Sequence, residues 1–522
     1  VSAVAETIPN PDPVNAVATS AVNRVMVVVA VMSATMMQML DTTIVNVALP
    51  QMQGQLGTTS SEISWVLTSY IVASSIFMPL TGYFADRLGQ RRYLIMATSG
   101  FVIASVLCGL SFSLSEIVLF RIAQGLSGAA LAPLSQTIMT NLYRPEERGK
   151  AMAMWGLGVV VGPVLGPTLG GWLTEVISWR WTFFINIPVG VMSVILALKY
   201  VPDSPKKERT MDWTGFVLLG LAVGSLQYVL DRGSRVDWFE APEIVMATFL
   251  FVIALSLFIR HILSDAAHPI FSPRIFLDRN FTMATLTSMA LSLGIFGSMI
   301  LQPILMESLL GYPVSTTGLL MAPRGLAVGV GMLIVGRLIG RFEPRLLIMT
   351  GMTCSLFSAL AMSRYTLEID TWNLVWPGLL QGIGIALIMV PLSVLAYTTL
   401  PRERMAEAAG MNNLIRNLGS SFGISFAATM FSRYTQQGWQ QLSAYANPFS
   451  PAVQEYLARL HLTVDNPLGG MLLAREVGMQ AAIAGMSKVY LWIVAAIVFM
   501  MPFVFMLRAA KQSSDAPPPL AE

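Results

Sequence analysis

The sequence predicts an all-α polytopic membrane protein with fourteen transmembrane helices, six plus six with two inserted between them. Three observations lead there. Of 522 residues, 54% are hydrophobic and only 12% are charged, with a mean hydropathy of +0.64, against roughly 25% charged in a soluble domain. Fourteen apolar runs are each long enough to cross a bilayer, because a helix rising 1.5 Å per residue needs about 20 residues for a hydrocarbon core of about 30 Å. The two halves of the chain also repeat each other at an offset of about 255 residues.

The runs fall at 25–49, 62–84, 93–112, 117–142, 151–173, 181–201, 213–231, 243–261, 280–309, 316–340, 345–363, 375–400, 405–432 and 485–509. An even number of spans places both termini on one side. With the first tail inside, 21 Lys/Arg lie on that face, among them Arg87, Arg91, Arg92, Arg148, Lys150, Arg337, Arg341 and Arg345, while 8 lie on the other and 3 within spans. The positive-inside rule therefore puts both termini in the cytoplasm. Residues 1–23 lack a charged segment ahead of an apolar core and read as a disordered cytoplasmic tail, as do residues 510–522. Between them lie an N-terminal bundle over 24–202, two inserted helices with their loops over 203–279, and a C-terminal bundle over 280–509. Within the last, 433–484 reads as a long loop on the non-cytoplasmic face, with turn signals at Asn447-Pro448 and Asn466-Pro467.

Composition also narrows the partners. A net charge of +3 without a block of like charge gives no track for a phosphate backbone, so nucleic acid is excluded. Cys108 and Cys354 lie inside apolar runs and supply neither a disulfide framework nor a metal spacing. His261, His268 and His461 are too scattered for a metal centre and read as solvated loop residues.

The duplication is parallel. Gly82-Tyr83-Phe84-Ala85-Asp86-Arg87 is echoed by Gly336-Arg337-Leu338-Ile339-Gly340-Arg341, Gln124-Gly125 by Gln381-Gly382, and Pro145-Glu146-Glu147-Arg148 by Pro401-Arg402-Glu403-Arg404. Eight spans separate each motif from its echo, which leaves 213–231 and 243–261 as the inserted pair.

In architecture and in these strings the chain resembles the major facilitator superfamily, in its fourteen-span branch of drug and proton antiporters. Leu40 to Pro50 resembles the first-helix signature of that branch, and Gly82 to Arg92, with Gly82, Asp86, Arg87, Gly89 and Arg91, resembles the superfamily's loop motif. Arg121 with Gln124-Gly125 is similar to the fourth-helix motif, and Gly158 to Gly171 to the antiporter motif of helix five. Leu230-Asp231-Arg232-Gly233, Asp237-Trp238-Phe239 and Asn447-Pro448-Phe449 look like the EmrB type. The resemblance implies two six-helix bundles around a central cavity that opens alternately to each side of a bacterial inner membrane. It also implies a periplasmic membrane-fusion adaptor and an outer-membrane channel as partners. By the same resemblance, Asp86 is a latch against the partner bundle, and the helix-five motif is a gate where the bundles touch when the cavity faces inward.

The residues carry their own argument. Asp41 is the one carboxylate well inside the first span, where charge is costly, so an acid there suits a group that loads and releases a proton. Gln38 shares its helical face, and Thr42 and Asn46 lie on the adjacent one. Arg121, near the outer start of the fourth span, keeps its charge at any depth and is placed as the electrostatic partner of Asp41, directly or through water. Gly158, Gly162, Gly166 and Gly170 recur every four residues, with Pro163 and Pro167 between them, and permit close helix contact and bending. Asn413, Arg416, Asn417 and Ser420 form one stripe on the thirteenth span. Arg324 is a third intramembrane cation, and Glu307 is placed to pair with it or to titrate as a second acid. Gln38, Thr42, Asn46, Gln124, Gln302, Arg324, Asn413, Arg416 and Asn417 are the predicted cavity lining. One buried acid against three arginines makes that cavity net positive, which points to anionic or neutral amphipathic cargo. The 33 methionines and 11 tryptophans suit apolar packing and a loosely specified lining.

No catalytic motif appears, and the chain is not expected to be an enzyme. Gly149-Lys150 lacks the upstream glycine and the hydroxyl of a nucleotide-binding loop, and Gly156-Leu157-Gly158 lacks the third glycine of a dinucleotide fingerprint. No cofactor is expected, and the proton gradient is the expected energy source, each charge crossing 100 mV being worth about 2.3 kcal/mol. Export of amphipathic toxic compounds in exchange for protons is the leading expectation. A dedicated proton-coupled transporter of one organic or fatty acid metabolite is the alternative.

Overall fold

The computed structural model describes residues 21–143, 147–206, 210–264, 272–339, 341–401, 404–446, 450–459, 462 and 467–507. The expectations for residues 1–20 and 510–522, the echoes at Pro145-Glu146, Arg402-Glu403 and Gly340, the Asn447-Pro448-Phe449 string, Asn466, His268, His461 and the side chains of Pro163 and Pro167 lie outside the described residues.

The described residues fold as long helices. Twelve are long and apolar enough to cross a membrane: α1 (Arg24–Leu56), α2 (Trp65–Leu88), α3 (Gln90–Leu110), α4 (Leu114–Leu142), α6 (Trp181–Tyr200), α7 (Trp213–Arg235), α8 (Pro242–Leu263), α9 (Arg279–Leu309), α10 (Thr316–Leu338), α11 (Pro344–Met362), α12 (Thr371–Thr398) and α14 (Pro467–Val504). Two further helices, α5 (Arg148–Val176) and α13 (Met405–Ser443), are long enough but richer in glycine or polar residues. They bring the long helices among the described residues to fourteen. The ends follow local chemistry. Ser113 and Glu116 form a capping box that starts α4, Asp212 and Asp278 cap α7 and α9, and Gly89 ends α2 at a φ of +86° that a side chain would resist.

Two features bend the rods. Pro79 converts Met78–Leu80 of α2 to a tighter 3-10 turn, and beyond Pro303 the end of α9 widens to a π-helical turn over Ile304–Leu309.

α1 to α6 form one bundle and α9 to α14 the other, and their meeting obeys the repeat. An offset of 254 residues carries Met78 to Met332, Gly82 to Gly336, Ala153 to Glu407 and Gly156 to Gly410. A Cβ on Gly82 would stand 2.9 Å from Glu407 Cα, and one on Gly336 would stand 2.7 Å from Ala153 Cβ. A Cβ on Gly410 would meet the Met78 carbonyl oxygen at 3.0 Å, and one on Gly156 the Met332 sulfur at 2.5 Å. The bundles thus close against each other by two related sets of contacts, on the face predicted to be cytoplasmic. In the other half of α1, Asn46 is exposed.

The inserted α7 lies between α2 and α13. Thr68 donates a hydrogen bond to Asp231 on one side, and Gln227 donates to Ser421 at 2.8 Å on the other. α8 packs on α7 and presents apolar side chains such as Met246 and Phe249 outward. His261 differs from its reading as a solvated loop residue. It lies on α8, 3.0 Å from both carboxylate oxygens of Asp212, and so joins the two inserted helices.

The predicted loop over 433–484 is largely helix. α13 runs to Ser443, a short helix covers Pro451–Arg459, and α14 begins at Pro467. Hydropathy fades where these helices leave the apolar layer, but Gln436, Gln437, Gln440 and Gln441 are good helix formers, and Gly438 lets α14 close in at Ala481.

Candidate functional site

Asp41 has no exposed surface. α1 turns Met39, Thr43 and Ile44 toward α5 and Asp41 toward α4 and α6. On α4, Arg121 and Gln124 are three residues apart and share a face. Arg121 Nη1 donates to Asp41 Oδ2 at 2.6 Å, and Gln124 Nε2 and Asn186 Nδ2 donate to Oδ1 at 2.9 and 2.8 Å. The predicted partnership of Asp41 and Arg121 is a direct contact.

Arg121 is itself held from several sides. Its Nε donates to the Val66 carbonyl at 2.9 Å, Nη1 also donates to Gln124 Oε1 at 2.7 Å, and the Tyr70 ring faces the guanidinium at 4.2 Å. Gly125 makes this possible. A Cβ there would stand 2.5 Å from the Tyr70 carbonyl oxygen, so only glycine lets α2 approach α4 so closely. Asn186 is anchored through Ser105, whose hydroxyl it reaches at 2.9 Å and which donates to the Phe183 carbonyl. Asn186, Ser105, Tyr70 and the Val66 carbonyl escaped the sequence reading. The signal for Asn186 was present, since it is the one amide side chain in the α6 run.

Every contact on the carboxylate comes from a donor. Oδ1 accepts two of these hydrogen bonds and Oδ2 one, each strengthened by the carboxylate charge, so the network ties α1 to both α4 and α6. Among the described residues, Arg121 Nη2 and Asn186 Oδ1 are buried beside it without hydrogen-bond partners, which leaves capacity for a rearranged network.

The predicted cavity set separates into groups. Gln38 is buried and accepts from the Ala132 amide at 3.1 Å, tying α1 to α4. Thr42 is partly exposed, its hydroxyl donating to the Met39 carbonyl, and Asn46 is open. Asn413, Arg416 and Asn417 belong to the closed seam. Asn413 donates to Gln136 of α4 at 3.0 Å and accepts from Arg416 at 2.7 Å, and Arg416 lies 5.5 Å from the Trp155 ring of α5. Tyr397 donates to the same Gln136 oxygen at 3.3 Å, while Asn417 reaches the Met78 sulfur at 3.9 Å. Ser420 turns back onto its own helix at the Arg416 carbonyl.

Arg324 and Gln302 come together in the second bundle, with Arg324 Nη1 donating to Gln302 Oε1 at 3.1 Å. Glu307 does not pair with Arg324. It lies on the π-helical turn, partly exposed, and among the described residues no carboxylate is within ion-pair distance of Arg324.

Comparison with known proteins follows this geometry. Residues 31–424 match the family model described as Major Facilitator Superfamily. The chain belongs to the major facilitator superfamily. It is 35% identical to the multidrug export protein EmrB of Escherichia coli K12 over 481 residues, covering 91% of this chain and 93% of that protein. It is 32% identical to the fatty acid resistance protein FarB of Neisseria gonorrhoeae, covering 91% and 94%. Among solved structures, human organic anion transporter MFSD10 aligns with a TM-score of 0.60 at 14% identity over 91% of this chain and 99% of that one. The proton:xylose symporter XylE aligns at 0.58 and 14%, over 92% and 96%. These two likenesses establish the fold.

In this facilitator, closed on the face predicted to be cytoplasmic, the stripe of Gly158, Gly162, Gly166 and Gly170 faces α1. A Cβ would stand 2.3 Å from the Met39 carbonyl carbon at Gly162, 2.0 Å from Thr43 Oγ1 at Gly166, 2.9 Å from Ile44 at Gly170 and 3.2 Å from Met32 at Gly158. Thr43 also donates to the Gly162 carbonyl at 2.9 Å. On another face α5 meets α10 of the partner bundle, Gly156 against Met332, Leu157 against Gly329 and Thr168 against Gly318. The spacing identified a close contact, and the rotation of α5 decides which helix receives it. In the loop motif, Gly82 lies against Glu407, Arg87 donates to the Tyr83 hydroxyl, and Arg91 is 3.1 Å from Asp203. The segment carrying Asp86 thus packs against the first turns of α13.

Proposed function

We propose that this facilitator is a proton-coupled antiporter exporting amphipathic drugs and toxic compounds across the bacterial inner membrane, with both termini cytoplasmic. The observation that carries this reading is the buried Asp41 held by Arg121, Gln124 and Asn186. In the closed-seam state described above, a proton arriving from outside neutralises Asp41 and releases its three donors. α1 then shifts against α4, α6 and the glycine face of α5, and the bundles rock so that the cavity opens inward. Cargo binding and proton loss reset the donors. The multidrug export relatives support export as the direction, and no cofactor is required.

Substrate-induced proton release from purified protein, wild type against Asp41→Asn, tests the coupling. Release from wild type alone is the expected result, and equal release from both sinks it.

The same relatives support a place in a three-part pump with a periplasmic adaptor of the membrane-fusion class and an outer-membrane channel. The α13–α14 extension is the contact surface in this reading. Deleting Tyr445 to Asp465 should abolish copurification with the adaptor, and unchanged copurification removes the segment from the interface.

A second reading, a dedicated transporter of one organic or fatty acid, is favoured by the acid-free cation Arg324 and by the name of the FarB relative. A substrate panel separates the two, since a single accepted compound replaces the multidrug reading.

A further inference from the structure

The two bundles treat their buried arginines differently. In the first, Arg121 has a carboxylate. In the second, the position of Asp41 passes by the 257-residue offset of Gln124 and Gln381 to Ser298. The amide bond survives there: Gln381 Nε2 donates to Ser298 Oγ at 2.9 Å, as Gln124 does to Asp41. The acid has gone, and the position of Arg121 is Gly378.

The cation has moved to the neighbouring helix. A Cβ on Gly382 would stand 2.5 Å from the Arg324 carbonyl oxygen, just as one on Gly125 would from that of Tyr70. Arg324 therefore occupies the place that Tyr70 holds in the first bundle. It is 7% exposed, and its one hydrogen bond among the described residues goes to Gln302. A guanidinium so deep, without a counter-charge among the described residues, is costly to keep.

Around it stand other buried polar groups. The phenols of Tyr365 and Tyr490 lie within electrostatic reach of the guanidinium. Their rings meet edge to face at 6.2 Å. Among the described residues the Tyr490 hydroxyl is buried without a hydrogen-bond partner, and the buried Tyr365 hydroxyl faces the Gln302 amide that Arg324 also reaches. A guanidinium that can only donate, flanked by phenol hydroxyls able to donate, favours a guest rich in acceptors and carrying negative charge, such as a carboxylate or a halide, and repels a cation.

We propose that Arg324, Tyr365 and Tyr490 form a binding site inside the second bundle for one monoanionic group, either the carboxylate head of an amphipathic cargo or a small inorganic anion. The cargo arm rests on the export reading; the binding site does not.

The test is equilibrium binding to the full chain in lipid nanodiscs without a gradient, in chloride-free sulfate buffer. Decanoate, decan-1-ol and sodium chloride are titrated, with tryptophan fluorescence and thermal unfolding as readouts. In Arg324→Gln the half-saturating decanoate concentration should rise about tenfold or more, while decan-1-ol binding stays unchanged. Tyr365→Phe and Tyr490→Phe keep the rings and should each raise it about threefold or more. An Arg324-dependent response to decanoate assigns the anion to cargo, and one to chloride alone assigns it to a resident ion; either upholds the site. Folded Arg324→Gln that binds both anions like wild type overturns it. If that variant does not fold, unchanged anion binding in both tyrosine variants overturns it. Because no proton movement is read, failure here leaves the Asp41 test standing, and failure of that test leaves this one.

Discussion

Asn413 of α13 donates a 3.0 Å hydrogen bond to Gln136 of α4, joining the bundles deep in the closed seam. Arg416 and Tyr397 complete the cluster. Breaking it removes buried hydrogen bonds worth about 1 kcal/mol each net, and more where a donor is left unmet. Gln136→Leu with Asn413→Leu should therefore favour the inward-open form by about fivefold or more. Spin labels at Arg92→Cys and Leu346→Cys, read by pulsed dipolar spectroscopy, should show a larger fraction at long distance. An unchanged distribution would mean that the seam is held elsewhere.

The α1–α5 joint makes a sharper demand. A Cβ at Gly166 would stand 2.0 Å from Thr43 Oγ1, whereas one at Gly171 meets nothing within 4 Å. Gly166→Val should destabilise the protein by about 1–3 kcal/mol through overpacking and impair transport, while Gly171→Ala should match wild type. Thermal unfolding in detergent and efflux assays compare the pair; equal behaviour would refute the tight joint.

Asn186→Ala removes one of the three donors on Asp41. Hydrogen bonds to charged groups are worth about 1.5–3 kcal/mol, so a lower unfolding temperature and reduced substrate-induced proton release are expected. Asn186→Asp should be worse, since it sets a second carboxylate against the first. A variant at least as stable as wild type would show the contact to be idle.

The inserted α7 should act as a strap between α2 and α13. Gln227→Leu deletes its 2.8 Å bond to Ser421. Labels at Phe112→Cys and Tyr445→Cys, both exposed on the other face, should then shift toward longer distances. No shift would mark α7 as filler.

The sequence made charge legible and orientation opaque. Asp41 and Arg121 stand out because a charge within an apolar run has few other reasons to exist. The repeat likewise announced the paired seam, since Gly82 and Gly336 keep their spacing. Asn186 was harder to see, because an amide carries no charge and its worth depends on facing Asp41 across 145 residues of chain. The helix-five glycines revealed how close a neighbour must come, but a stripe is blind to which neighbour, and a small rotation of α5 hands it to α1. The segment after Arg433 was misread for another reason: hydropathy registers apolar surroundings, so a polar helix beyond the bilayer looks like a loop.

That polar extension has a mechanical consequence. α13 is 39 residues long, about 58 Å at 1.5 Å per residue, nearly twice the roughly 30 Å apolar layer. α14, 38 residues long, runs back along it and closes on it at Gly438 and Ala481. On the transport reading proposed above, the pair is a stiff lever rooted in a rocking bundle. A turn of about 10° about its inner end would swing the far tip by about 10 Å. On that reading, an event at a carboxylate sealed inside the first bundle is delivered as a stroke at the far end of the pair.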